Sequence, residues 1–163
     1  VDKLRWIKEL VTAEQQMEEA GVVDMSVGFD PSRQLEDATV DFLTDLKLSF
    51  VEAASSFNQL KGSSLGHIRI YGIAKTKADF MLFRNGAKLI FSMRHAGLVT
   101  VSYTATSGTY VPGMTKTEET AQDVLKAEWG AFGQLRWTYN ERELQLDYLI
   151  RYYMSRFVRD SAK

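Results

Sequence analysis

The chain has 163 residues, 45% of them apolar and 25% charged, with a net charge of −1; that size and balance fit one folded domain with a substantial core. An aromatic content of 12% excludes disorder along the whole length, and no run of 18 apolar residues offers a membrane span. Cysteine is absent, which excludes a disulfide framework, a thiolate zinc site and a cysteine nucleophile.

The chain begins at Val1, and its first twenty residues hold no apolar run suited to a signal peptide, so any leader is expected to have been removed already. A soluble chain is expected, intracellular in preference to secreted. Residues 2–20 read as a helix, with Leu4, Ile7 and Val11 at helical spacing and Met17 further along. Glu and Gln crowd the face beyond Val11, so the helix is only weakly amphipathic. Gly21 is its expected stop. Residues 21–34 read as a connector, with Asp30-Pro31 as a turn signal. This divides the chain into residues 1–34, a helix and connector, and residues 35–163, a single domain.

Residues 35–60 form the clearest helix. Thr39, Leu43, Leu46, Phe50, Ala53, Ala54 and Phe57 share one stripe on a 3.6-residue wheel, as a core face requires. Glu36, Asp37 and Asp41 suit the positive end of its dipole, and Lys61-Gly62 gives a conventional ending. A meander follows. Strands are expected at 66–75, 79–84, 87–94 and 98–104, with Asn85-Gly86 as a strong hairpin signal and His95-Ala96-Gly97 as a second turn. Residues 105–117 read as a loop, in which Pro112-Gly113 suits a type II turn. Residues 118–128 read as a short helix opened by Thr117. Gln134 to Tyr139 read as a fifth strand. Asn140, with Glu143 three residues on, resembles a capping box and opens a final helix to about residue 159. The expected fold is α+β: an antiparallel meander of about five strands, with long helices before and after it packed on one face.

Charge is unevenly spread. Residues 1–60 carry a net −7, residues 61–104 a net +6, and the remainder zero. A basic island of this kind suggests an anionic partner, or neutralisation by the acidic N-terminal segment. Alternation sorts the strands into two faces. Ile68, Ile70, Leu89, Phe91, Met93, Val99, Val101, Tyr103, Leu135 and Trp137 fall on the core face. His67, Arg69, Tyr71, Lys88, Ser92, Arg94, Thr100, Ser102, Arg136 and Thr138 fall on the other. That outer face is polar and basic, with no acid placed against its arginines, and like charges on neighbouring strands repel. A partner, a bound anion or the acidic segment should compensate. On the last helix, Leu146, Ile150, Tyr153, Met154 and Phe157 fill the core stripe, and Tyr148 and Tyr152 lie opposite, near Arg159. Exposed Tyr and Arg are enriched at protein interfaces.

Motifs for chemistry are scarce. The two histidines, His67 and His95, form no His-x-x-x-His or Glu-x-x-His pair. There is no Gly-x-Ser-x-Gly elbow. Gly62-Ser63-Ser64-Leu65-Gly66 leads into a strand, whereas a phosphate-binding glycine loop should lead into a helix. No strand carries the aromatic signature of an RNA-recognition sheet. The sequence therefore predicts a non-catalytic binding or adaptor domain, without cofactor or metal, acting through protein–protein contact or self-association. Its expected contact residues are Arg69, Tyr71, Lys88, Arg94, Arg136, Tyr148 and Tyr152. An acidic segment and a basic sheet could pair between two copies. The alternative is a nucleic-acid binder, with Arg69, Lys88, Arg94 and Arg136 on phosphates and Tyr71 as a stacking platform. A third reading is a small enzyme or ligand-pocket protein built around residues 105–117.

Overall fold

The computed structural model describes residues 4–22, 30–105 and 121–162. The chain runs α1 (Arg5–Ala20), α2 (Pro31–Lys61), β1 (Arg69–Gly72), β2 (Phe80–Arg84), β3 (Ala87–His95), β4 (Leu98–Thr104), β5 (Ala121–Trp129), β6 (Leu135–Tyr139), β7 (Arg142–Glu143) and α3 (Leu146–Asp160). The seven strands form one antiparallel meander in chain order. The fold is α+β, as the sequence predicts, with helices before and after the sheet.

Helix α1 stops as expected, at Gly21 in the left-handed region (φ 68°), whose N–H donates to the Met17 carbonyl. Asp30-Pro31 is not a turn. It opens α2: the Asp30 carboxylate accepts from the Arg33 N–H, and Pro31 sits where a helix has no use for an N–H. The helix thus begins ahead of residue 35, across the boundary the sequence suggests. Glu36 and Asp37 then fall beyond the first turn, and pair with Lys77 and Arg33 instead of serving the dipole. Gly62 (φ 73°) ends α2.

The core is built as the stripe predicts. Thr39, Leu43, Leu46, Phe50 and Ala54 of α2 are buried against Ile68, Phe80, Leu82, Leu89, Phe91, Val99, Val101 and Leu125 of the sheet side. Phe42 joins them and stacks on Trp137 at 4.1 Å between ring centres. Leu149, Tyr153 and Phe157 of α3 complete the layer, with Tyr153 edge-on to Phe91 at 5.6 Å. The Asn58 side chain both donates to the Ile68 carbonyl and accepts from its N–H, fixing α2 to the chain entering β1. Arg84, buried at the end of β2, donates to the carbonyls of Gly66 and Val158 and to the Ser161 hydroxyl. This cation of the basic island therefore serves the fold and not the surface.

Two expected elements differ. Residues 121–128 are strand, not helix. Ala, Gln, Leu, Lys and Glu favour a helix locally, but β4 and β6 offer this segment ladders on both sides (Val99 opposite Leu125, Ala127 opposite Trp137), and tertiary pairing overrides propensity. Asn140 does not cap a helix. Asn140 and Glu141 both hold positive φ (49° and 67°) and form the tight turn between β6 and β7. Helix α3 starts later, at Leu146 after Gln145. The expected helix start at 117–120 and the Pro112-Gly113 turn lie outside the described residues.

Candidate interface on the open sheet face

Both α2 and α3 pack on one face of the sheet. The register lays out the other face as cross-strand rows. One row runs Arg69, Phe83, Lys88, Thr104, and the next Tyr71, Met81, Ile90, Ser102, Gln122. Ser92, Thr100 and Val124 follow, and then Leu98, Lys126, Thr138 and Glu143. The last pair is Glu128 and Arg136. Helix α1 does not cover these rows, since none of its residues is buried.

Apolar side chains are interspersed on this face. Met81, Phe83, Ile90, Leu98 and Val124 are each only half-buried, Tyr71 on edge strand β1 is exposed, and Ser92, Thr100 and Ser102 lie between Ile90 and Val124. Cations stand among them: Arg69 and Lys88 flank Phe83, Lys126 lies beside Leu98, and Arg136 is at the far end, all exposed. Asp79 sits at the edge of the face, where its carboxylate accepts from the Ser92 hydroxyl (2.7 Å) and the Met93 N–H (2.9 Å). Thr100 and Thr138 are buried between larger neighbours.

The predicted contact residues divide into groups. Arg69, Tyr71 and Lys88 share one region, Lys88 lying two strands from Arg69 in the same row. Arg136 stands five strands from β1, roughly 24 Å away at the usual strand spacing. It also has an acid: Glu128 lies directly opposite on β5, 3.9 Å away. The expectation that no acid faces the arginines is corrected here, because a helix at 118–128 would have removed Glu128 from the sheet. Arg94 falls in the bulge between Met93 and His95, where the ladder skips a residue, and is exposed. His67 lies just ahead of β1, and its Nε2 is buried with no hydrogen-bond partner among the described residues.

Tyr148 and Tyr152 do not join this face. Helix α3 lies across the core side, and they are 66% and 54% exposed on its far surface. Arg156 donates to the Tyr152 hydroxyl at 3.1 Å, and the Arg151 guanidinium sits over the Tyr148 ring at 5.8 Å. They form a second surface, turned away from the first. At its edge the Asp123 carboxylate accepts from Tyr153 (2.8 Å) and Tyr139 (3.3 Å). Burial, then the bond to Asp123, holds the Tyr153 hydroxyl far above its ordinary pKa. The Asp123 charge, then burial, raises that of Tyr139. A cavity of about 50 Å³ lies here, between Tyr103, Asp123, Tyr153 and Arg156; a metabolite site needs roughly 300 Å³ or more. The cluster ties α3 to β5 and has room for a few waters.

Sequence reasoning missed the apolar side chains on this face. Its signal was present in the unbroken run Phe80-Met81-Leu82-Phe83, since a strand apolar at every position presents apolar side chains to both faces. It also missed Phe132, fully exposed at positive φ in the β5–β6 connection. Gly130 and Gly133 flank it, but this glycine pair leads into strand β6, not into a helix whose N-terminus could hold a phosphate. No helix among the described residues is long and apolar enough to cross a membrane. No known family model matches this chain, and it has no significant match among curated proteins or solved structures.

Proposed function

We propose that this protein is a binding or adaptor domain whose open sheet face makes a protein–protein contact. The observation that carries the reading is the partly exposed apolar area on that face, Tyr71, Met81, Phe83 and Ile90 on β1–β3 with Leu98 and Val124 beyond them, interspersed with Arg69, Lys88 and Lys126. Exposed aromatic, Met and Arg side chains are the types enriched at protein interfaces. A nucleic-acid strand asks for something else: a continuous cationic track with stacking platforms along it. Here Arg136 on β6 lies three strands from Lys88 and five from Arg69, and it faces Glu128.

The test is a photo-crosslinker at position 102, in the middle of the face, in the full chain within the cells that produce it. Capture of a protein, a second copy included, which is abolished by Ile90→Glu supports the reading. Crosslinking to nucleic acid overturns it in favour of the alternative. Fluorescence anisotropy with mixed single-stranded RNA and DNA at low and physiological salt gives the same decision independently. Binding with a steep salt slope, flattened by Arg69→Ala and Lys88→Ala, is the nucleic-acid outcome. Absence of any crosslink sinks both.

A further inference from the structure

Helix α1 is turned the wrong way for its own domain. At 100° per residue, Trp6, Ile7, Leu10, Val11 and Met17 lie within one broad arc. All five are exposed, Trp6 by 55% and Val11 by 51%. A contact between the helix and the body lies outside this arc, where the Glu9 carboxylate meets Arg33 of α2 at 3.6 Å. A surface helix normally buries its apolar side and solvates its polar side; α1 buries neither, and leaves its apolar side exposed.

The charges inside the arc have one sign. Glu14 and Glu18 fall among the apolar residues, and Arg5 and Lys8 fall on the opposite side. The open sheet face offers the complementary types, half-buried Met81, Phe83 and Ile90 with Arg69, Lys88 and Lys126 among and beside them. Lengths match too. The 16 residues of α1 span about 24 Å, enough to cover the four strand spacings from Tyr71 on β1 to Val124 on β5, about 19 Å.

We infer that α1 of one copy docks on the open sheet face of a second copy, and reciprocally, giving a two-fold dimer. The inference rests on the reading of the sheet face as a protein contact and names its occupant. In a two-fold pair each copy supplies both halves of the contact. Both apolar surfaces are then covered, and Glu14 and Glu18 reach the cations of the partner's sheet.

The test is sedimentation velocity on the full chain across a wide concentration range, at low and high salt. It uses two exposed charge reversals: Glu14→Lys with Glu18→Lys, and Arg69→Glu with Lys88→Glu. Self-association is expected in the unaltered chain, and each reversal alone should weaken it by about tenfold or more. Mixed in equal amounts, the two variants should form a hetero-pair tighter than either forms alone, because one contact is then native and the other is charge-swapped. Circular dichroism on each variant excludes unfolding as the cause. A dimer indifferent to the α1 reversal overturns the inference and leaves the sheet face as a contact. A dimer lost on the α1 reversal but indifferent to the sheet reversal overturns it as well, and removes that face from self-association. A monomer at every concentration overturns it too. The crosslink from position 102 then separates the cases: capture within one chain means that α1 folds back on its own sheet, and capture of another protein means that the face has a different occupant.

Discussion

Replacing Arg84 by methionine should cost about 3 kcal/mol of stability. Arg84 is 5% exposed. Its Nε donates to the Gly66 carbonyl at 2.8 Å, and its Nη1 to the Val158 carbonyl at 2.8 Å and the Ser161 hydroxyl at 3.1 Å. The guanidinium lies 5.3 Å from the centre of the Phe57 ring. Among the described residues no carboxylate pairs with it. The charge is compensated by carbonyl dipoles, one of them in the last turn of α3, where a helix is negative. A hydrogen bond to a charged group contributes about 1.5–3 kcal/mol, so three of them amount to roughly 4.5–9. Methionine avoids the desolvation of a buried cation, which offsets part of that, and it keeps the packing on Phe57. The remainder is about 3 kcal/mol, or close to 10 °C in Tm for a chain of this length. Equilibrium urea unfolding, followed by circular dichroism and tryptophan fluorescence, measures it directly. Arg84→Lys should recover less than half, because one ammonium cannot serve acceptors set out for a planar fork. Arg94→Met, exposed in the β3 bulge, is the control and should stay within about 0.5 kcal/mol. If Arg84→Met falls in the range of that control, the clamp between β2 and the end of α3 has been misread.

Three further outcomes follow from local geometry. Thr39 is fully buried, donates to the Leu35 carbonyl at 2.6 Å and accepts from the Gly97 N–H at 2.8 Å; Thr39→Val strands that N–H and should cost about 1–3 kcal/mol in urea unfolding. Glu141 holds φ 67° in a two-residue hairpin turn, where glycine is preferred, so Glu141→Gly should raise stability by about 0.5–1 kcal/mol, and a loss instead would count against the turn. The Tyr153 hydroxyl is raised above its ordinary value of 10.0 by burial and by Asp123, so the folded state holds its proton more tightly than the unfolded state. Its contribution is complete below about pH 10 and is lost above it, at up to about 1.4 kcal/mol per pH unit. Urea midpoints between pH 8 and pH 11 should therefore fall less steeply for Tyr153→Phe than for the unaltered chain, and equal slopes would refute the assignment.

The fold was legible wherever a local signal and the tertiary structure agreed. The α2 stripe reads correctly because 3.6-residue periodicity is imposed by the core it faces, from Thr39 to Phe57. The Asn85-Gly86 turn reads correctly because its two positive φ angles (51° and 82°) are ones that Asn and Gly tolerate. The failures have the same physics in reverse. In Asn140-Glu141 the second position carries Glu where the turn would favour Gly, so the hairpin signal is weak and a capping pattern with Glu143 competes with it. In residues 121–128 the composition is that of a helix, and the information that makes it a strand lies in its neighbours on either side. Asp30-Pro31 fits a turn and a helix start equally well by sequence; the Asp30 bond to the Arg33 N–H decides it.

That one missed strand changes what the surface is. Without β5, Arg136 has no acid opposite it, and the surface beyond β4 cannot be placed. With β5 in place, Glu128 stands opposite Arg136, and Lys126 and Val124 join a face that already holds Met81, Phe83 and Ile90. The basic island also thins, since Arg84 is spent inside the fold. What remains uncompensated on this face is apolar area more than charge. The chain carries its counterpart in α1, whose exposed Trp6, Leu10 and Val11 face outward while the acids expected to neutralise the sheet sit among them. Hydrophobic burial is short-ranged and little affected by salt, and a few exposed charges are screened within about 8–10 Å at physiological ionic strength. Association through this face should therefore persist at high salt, weakened but not abolished, which a phosphate-dominated contact cannot do.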